Sequence, residues 1–137
     1  MINIVAVQPD KIDSVWDQAK PHIDAALRYT KGEMVADSIK EKLLTGENLL
    51  LLAIEGGILA SIVCEIVQTA KIKVCHIVAC GGVRADIWLD KWYEVIVPLA
   101  KEQNCQRISV SGRKGWEKKL KGYGFKHAYT TLDQELS

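Results

Sequence analysis

The sequence predicts an α/β protein of the α+β kind, in three layers: a mixed, mostly antiparallel sheet with helices on both faces. Three observations carry that prediction. Residues 48–80 are apolar runs punctuated by "EGG" and "TAK", the pattern of an antiparallel meander. Helical periodicity lies on either side of it, at 12–45 and from Ile87 onward. Two of the meander runs are almost continuously apolar, so both faces of the sheet need cover.

The elements follow in order. "INIVAV" reads as a short strand from its β-branched content. Ile12, Val15, Trp16, Ala19, Ile23, Ala26 and Leu27 recur at helical spacing, and Pro21 predicts a kink or two shorter pieces. A second helix carries Met34, Val35, Ile39, Leu43 and Leu44 on its apolar face and stops at Gly46. "NLLLLAI", "ILASIVCEIVQ" and "IKVCHIVAC" are the three meander strands. Trp88, Trp92, Val95, Ile96 and Leu99 form one helical stripe, with Asp86 as the expected N-cap and Pro98 as an expected bend. "RISVS" is a strand, parallel to the third meander strand because a helix connects them. "GWEKKLKGYGF" is a short helix with Trp116, Leu120 and Tyr123 inward and Gly124 at its left-handed cap. "KHAYTTLDQEL" is expected to close the fold as a strand.

Composition narrows the function. The 137 residues fit one domain, 1–137, with a core of useful size. A net charge of +1 argues against a nucleic-acid partner. The apolar run Leu49–Ile54 is too short to cross a bilayer, and "MINIVAVQPDK" lacks the pattern of a signal peptide. No membrane partner and a cytoplasmic location are therefore expected. Cys64, Cys75, Cys80 and Cys105 form no C-x-x-C pair and have no His cluster, so no metal site is expected. Cys64 and Cys75 read as small buried hydrophobes. The four tryptophans lie on apolar helical stripes and read as core residues rather than a ligand box.

Several residues are candidates for chemistry. Glu65 and His76 lie on meander strands, where desolvation would raise a carboxylate pKa and make it a base near neutrality. The ordinary alternatives are an exposed-face glutamate and a hydrogen-bonded structural histidine. Ser111, Gly112 and Arg113 follow a strand expected to be parallel, where α/β sheets often place ligands. Arg113 would pair with a phosphate or carboxylate, or serve as a solvated surface residue. The Gly81-Gly82 pair precedes a helix start, a place that suits either phosphate binding or a plain turn. If the pair lines a cofactor site, Gly82→Val is expected to weaken cofactor binding while leaving thermal stability close to unchanged.

This order of elements, with its "GG", "WLD", "GR-GW" and final Gly124-Phe125, resembles the GCN5-related N-acetyltransferase superfamily. More narrowly it is similar to short acetyltransferase-like proteins of bacteriophages and prophages. The resemblance implies an acyl-CoA N-acyltransferase-like fold and acetyl-CoA as co-substrate. It implies that acetyl-CoA enters where the fourth and fifth strands separate, with Val78, Ala79 and Cys80 along the pantetheine. Gly81, Gly82 and Arg84 would then lie at the pyrophosphate, with Arg113 near the phosphates. The acceptor would be a small-molecule or peptide amine, with Glu65, His76 and Ser111 as candidate proton-transfer groups. A homodimer or a phage protein is the partner implied. Two residues depart from the family pattern. Ile87 and Leu89 stand where its cofactor-loop glycines fall, and Leu120 stands where a tyrosine often protonates the leaving thiolate. Hence two functions are expected: an N-acetyltransferase with a degenerate cofactor loop, or a catalytically silent binding or assembly protein of phage origin on the same fold.

Overall fold

The computed structural model of the chain describes residues 1–30, 32–112 and 114–136, with the side chain of Tyr29 left aside. Among these residues the sheet has five strands in the order β1-β2-β3-β4-β5. They are β1 (Asn3–Val7), β2 (Asn48–Ile54), β3 (Ile58–Gln68), β4 (Lys73–Gly82) and β5 (Arg107–Val110). The first four pair antiparallel with their neighbours, and β5 pairs parallel with β4. The helices are α1 (Ile12–Leu27), α2 (Ala36–Thr45), α3 (Ala85–Glu102) and α4 (Gly115–Leu120). This is the α+β architecture that the patterning predicts.

Each face of the sheet has its own core. Ile12, Trp16, Ala19, Ile23 and Leu27 put one stripe of α1 against Leu50, Leu52, Val63 and Ala79, with Ile39 and Leu43 of α2 beside them. On the other face Trp88, Trp92 and Ile96 of α3 cover Leu51, Ile62, Cys64, Cys75 and Ile77. Cys64 and Cys75 are free and buried, as expected. The alternation of Leu50 and Leu52 with Leu51 and Ala53 between the two cores explains why β2 reads as continuously apolar.

Several expectations need correction. Helix α1 continues through Pro21 as one element rather than two pieces, with this proline on its exposed side. Val35 and Leu44 are exposed rather than part of the α2 face. Val35 is the N-cap, and Ala36 is buried instead. Helix α3 is capped by Arg84, in the left-handed region at φ 59°, while Asp86 lies inside the first turn. Residues 126–136 form no strand, and Tyr129, Leu132 and Leu136 are exposed. Their β-prone composition goes without a ladder, and a strand needs a partner edge as well as propensity.

One irregularity positions the site. Val63 pairs with Ala79 and Cys64 with Ile77, so Val78 is an extra residue in β4, a β-bulge. Val78 and Ala79 consequently both pack toward α1, while Ile77 and Cys80 pack toward α3. The β4–β5 pairing ends at Ile77 and Val110. Beyond it, Val78–Gly82 keep β3 on one side and pair with no described strand on the other. Strand β5 itself ends at Val110, so no described strand flanks the bulged end of β4 on that side.

Candidate active site

Two regions carry the candidate chemistry. The first is a polar row across the α1 side of the sheet. Asn48, Glu65, His76 and Ser109 are successive cross-strand partners on β2, β3, β4 and β5. Their side follows from their neighbours. Leu50 and Val63 belong to the α1 core, whereas Cys75, Ile77, Ile108 and Val110 pack on the α3 side. His76 Nδ1 and Ser109 Oγ lie 2.7 Å apart and share a hydrogen bond. Burial holds the His76 pKa below its ordinary value, opposed by the negative charge of Glu65. The imidazole is thus mostly neutral at pH 7, as a base must be.

The row brings together Glu65 and His76, both singled out by the sequence. It does not include Ser111, which lies exposed past the end of β5. The serine beside the imidazole is Ser109. Local pattern could not select it, because its place depends on the β4–β5 register.

The second region lies between α3 and α4. Arg84, Ala85, Asp86, Leu89, Lys119 and Tyr123 line an open groove of about 450 Å³. The Trp88 indole N–H donates to the Val83 carbonyl at 2.8 Å and fixes the short turn before α3. Two cations, Arg84 and Lys119, flank the positive end of a long helix, and Asp86 offsets part of that charge at 3.6 Å from Arg84. The Tyr123 hydroxyl donates to Asp90, and that bond pushes its pKa up to about 12. Leu120 is buried beside Trp116 and Trp88, whose rings are 6.4 Å apart. The space these side chains leave under Ile77 and Val110 is only about 10 Å³.

Val78, Ala79, Cys80, Gly81 and Gly82 are the part of β4 beyond its pairing with β5, held by β3 on the other side, and Arg84 lines the groove. Arg113 lies outside the described residues. The glycine pair ends β4 rather than forming a loop after it. A Cβ on Gly81 would stand 2.0 Å from the His22 carbonyl oxygen, and one on Gly82 would stand 2.4 Å from Ala60 Cβ and the Leu59 carbonyl. Both positions therefore need glycine for packing. The expectation that Gly82 tolerates valine without loss of stability is corrected by this contact with β3.

No protein-family model matches the sequence, and no curated protein does. Solved structures do match in fold. A predicted acetyltransferase from Clostridium acetobutylicum, solved with acetyl-CoA, is similar at TM-score 0.70 and 16% identity, covering 98% of this chain and 96% of that one. An aminoglycoside acetyltransferase from an uncultured soil metagenomic sample, in complex with sisomicin, gives TM-score 0.70 at 10% identity, with coverages of 99% and 97%. A ribosomal-protein-alanine N-acetyltransferase from Brucella melitensis biovar Abortus gives TM-score 0.66 at 9% identity, with coverages of 100% and 99%. The fold is that of the GCN5-related N-acetyltransferases.

Proposed function

We propose that the protein is an acetyl-CoA-dependent N-acetyltransferase whose acceptor amine meets the thioester at the gap beyond Ile77 and Val110. One observation carries the reading. The β4–β5 pairing ends one residue past the His76–Ser109 pair, and the Arg84–Lys119 groove lies at the start of the helix that follows β4. The groove suits a phosphate-bearing substrate, because two cations and unpaired helix N–H groups converge there. Acetyl-CoA supplies the activated acyl group. The β4 end from Val78 to Gly82, past its pairing with β5, would lie along its chain, with Cys80 turned to the α3 side.

The chain's own residues handle the proton. As the amine nitrogen bonds to the acetyl carbon and the carbon–sulfur bond breaks, the nitrogen must lose a proton. Ser109 accepts it while passing its own hydroxyl proton to His76 Nδ1, and Glu65 stabilises the imidazolium. The proton then leaves for the thiolate or for solvent. Leu120 has none to give, and Tyr123, held by Asp90, keeps its own at neutral pH.

A second reading is a catalytically silent binding or assembly protein of the phage type. Leu120 and the closed space under Trp116 favour it. Calorimetric titration with acetyl-CoA and with CoA separates the two. Acetyltransferase function requires saturable binding of both, and no heat with no thermal stabilisation at millimolar ligand would leave only the silent reading.

A further inference from the structure

The α1 side of the sheet is mostly aliphatic; buried Ser61 donates to the Ala19 carbonyl at 3.0 Å, and the other polar side chains in its centre form the row Asn48–Glu65–His76–Ser109. A buried polar group without a partner loses its hydration with nothing in return, so such groups are rare without a reason. The His76–Ser109 bond accounts for one half of the row. The other half is unsatisfied. Asn48 is 5% exposed, and among the described residues its Oδ1 has no hydrogen-bond partner. Glu65 is half-buried and, among the described residues, makes no ion pair. Both groups are acceptors, and both are on the side of His76 away from Ser109.

We propose that this half of the row binds a second donor nitrogen of the acceptor, so that the preferred substrate class is a diamine. The reacting amine lies at Ser109 and His76. The other ammonium lies toward Glu65 and the Asn48 amide oxygen. Neighbouring strands are about 4.8 Å apart, so Glu65 stands one strand spacing from His76 and Asn48 two, roughly 5 and 10 Å. A four- or five-carbon diamine spans that interval. The placement of the reacting nitrogen rests on the acetyl-transfer reading, whereas the binding of the second nitrogen needs no turnover.

The test therefore measures binding first. The protein alone is titrated with 1,4-diaminobutane, 1,5-diaminopentane and n-butylamine, followed by amide chemical shifts. The diamines should saturate, with the largest shifts at Asn48, Glu65 and their strand neighbours, and n-butylamine should bind at least about tenfold more weakly, the loss of one charge-assisted hydrogen bond. Glu65→Gln, at a half-buried position, should weaken the diamines and remove most of that difference. Asn48→Leu should weaken the diamines severalfold, and if that variant fails to fold, Glu65→Gln carries the comparison. Equal affinity for mono- and diamines, or an unchanged preference in Glu65→Gln, would overturn the proposal. Diamine binding without acetyl transfer would instead overturn the enzymatic reading and leave this inference standing. Transfer to mono- and diamines with equal kcat/KM would do the reverse.

Discussion

His76 Nδ1 and Ser109 Oγ lie 2.7 Å apart across the only parallel strand pair among the described residues, one position before that pairing ends at Ile77 and Val110. The pair thus sits at the one place where β4 is about to leave β5. A proton acceptor here reaches the gap without leaving the cover of α1.

The first prediction concerns pH. Burial lowers the His76 pKa and Glu65 raises it, with burial the larger effect. A group whose folded pKa is depressed favours folding above its unfolded value, about 6.5 for histidine, and loses that contribution as pH falls through the folded pKa. Stability should therefore decline from about pH 6.5 downward, and the acid limb of turnover should lie below that value. Glu65→Gln should move the His76 titration lower still. Imidazole NMR titration reads both, and a His76 pKa above the ordinary value would contradict the burial argument.

The second concerns the glycine pair. Gly81→Ala places a Cβ 2.0 Å from the His22 carbonyl oxygen, part of a helix backbone that cannot step aside cheaply. Overpacking typically costs about 1–3 kcal/mol, and this contact belongs at the upper end. Urea denaturation should register the loss even with no ligand present. A variant as stable as the parent would return Gly81 to being a plain turn residue.

These glycines also mark what the sequence could convey. The runs at 48–54 and 58–68 were legible to the residue, because turn chemistry brackets them and apolar content fills them. The two-sided cover of the sheet was legible from the same runs. Glu65 and His76 were legible as titratable groups on apolar strands. Gly81-Gly82 looked like a loop because glycine punctuates chains, but the His22 carbonyl that demands Gly81 comes from a distant helix. Ser109 and Asn48 were invisible for the same reason. Their membership of the row depends on strand register, and only the extra Val78 keeps the His76 and Ala79 pairings in place on β3. The closing strand failed because composition cannot provide a partner edge.

The third prediction tests the groove. Arg84→Gln and Lys119→Gln together remove both cations from the helix start and leave Asp86 unopposed. Acetyl-CoA affinity should fall by at least about tenfold, with a weaker dependence on salt. The thermal midpoint should change little, because both side chains are exposed. An unchanged affinity would take the groove out of the binding path.

The fourth concerns Tyr123. Its hydrogen bond to Asp90 raises its pKa to about 12, so it contributes stability below its ordinary value near 10 that is lost as pH rises through 12. Alkaline ultraviolet titration should show one late tyrosine, and Asp90→Ala should return it to the ordinary range. A Tyr123 that ionises early in the parent would show the phenol free for proton transfer.

The most direct measurement is mass-spectrometric detection of acetylated amine when the protein is given saturating acetyl-CoA and a panel of mono- and diamines, run in parallel with His76→Gln. Acetylated product should form with the parent protein. The variant should bind acetyl-CoA equally well and lose about a hundredfold or more in rate, the usual worth of a positioned base. No product with any amine, or equal rates in parent and variant, would contradict the account.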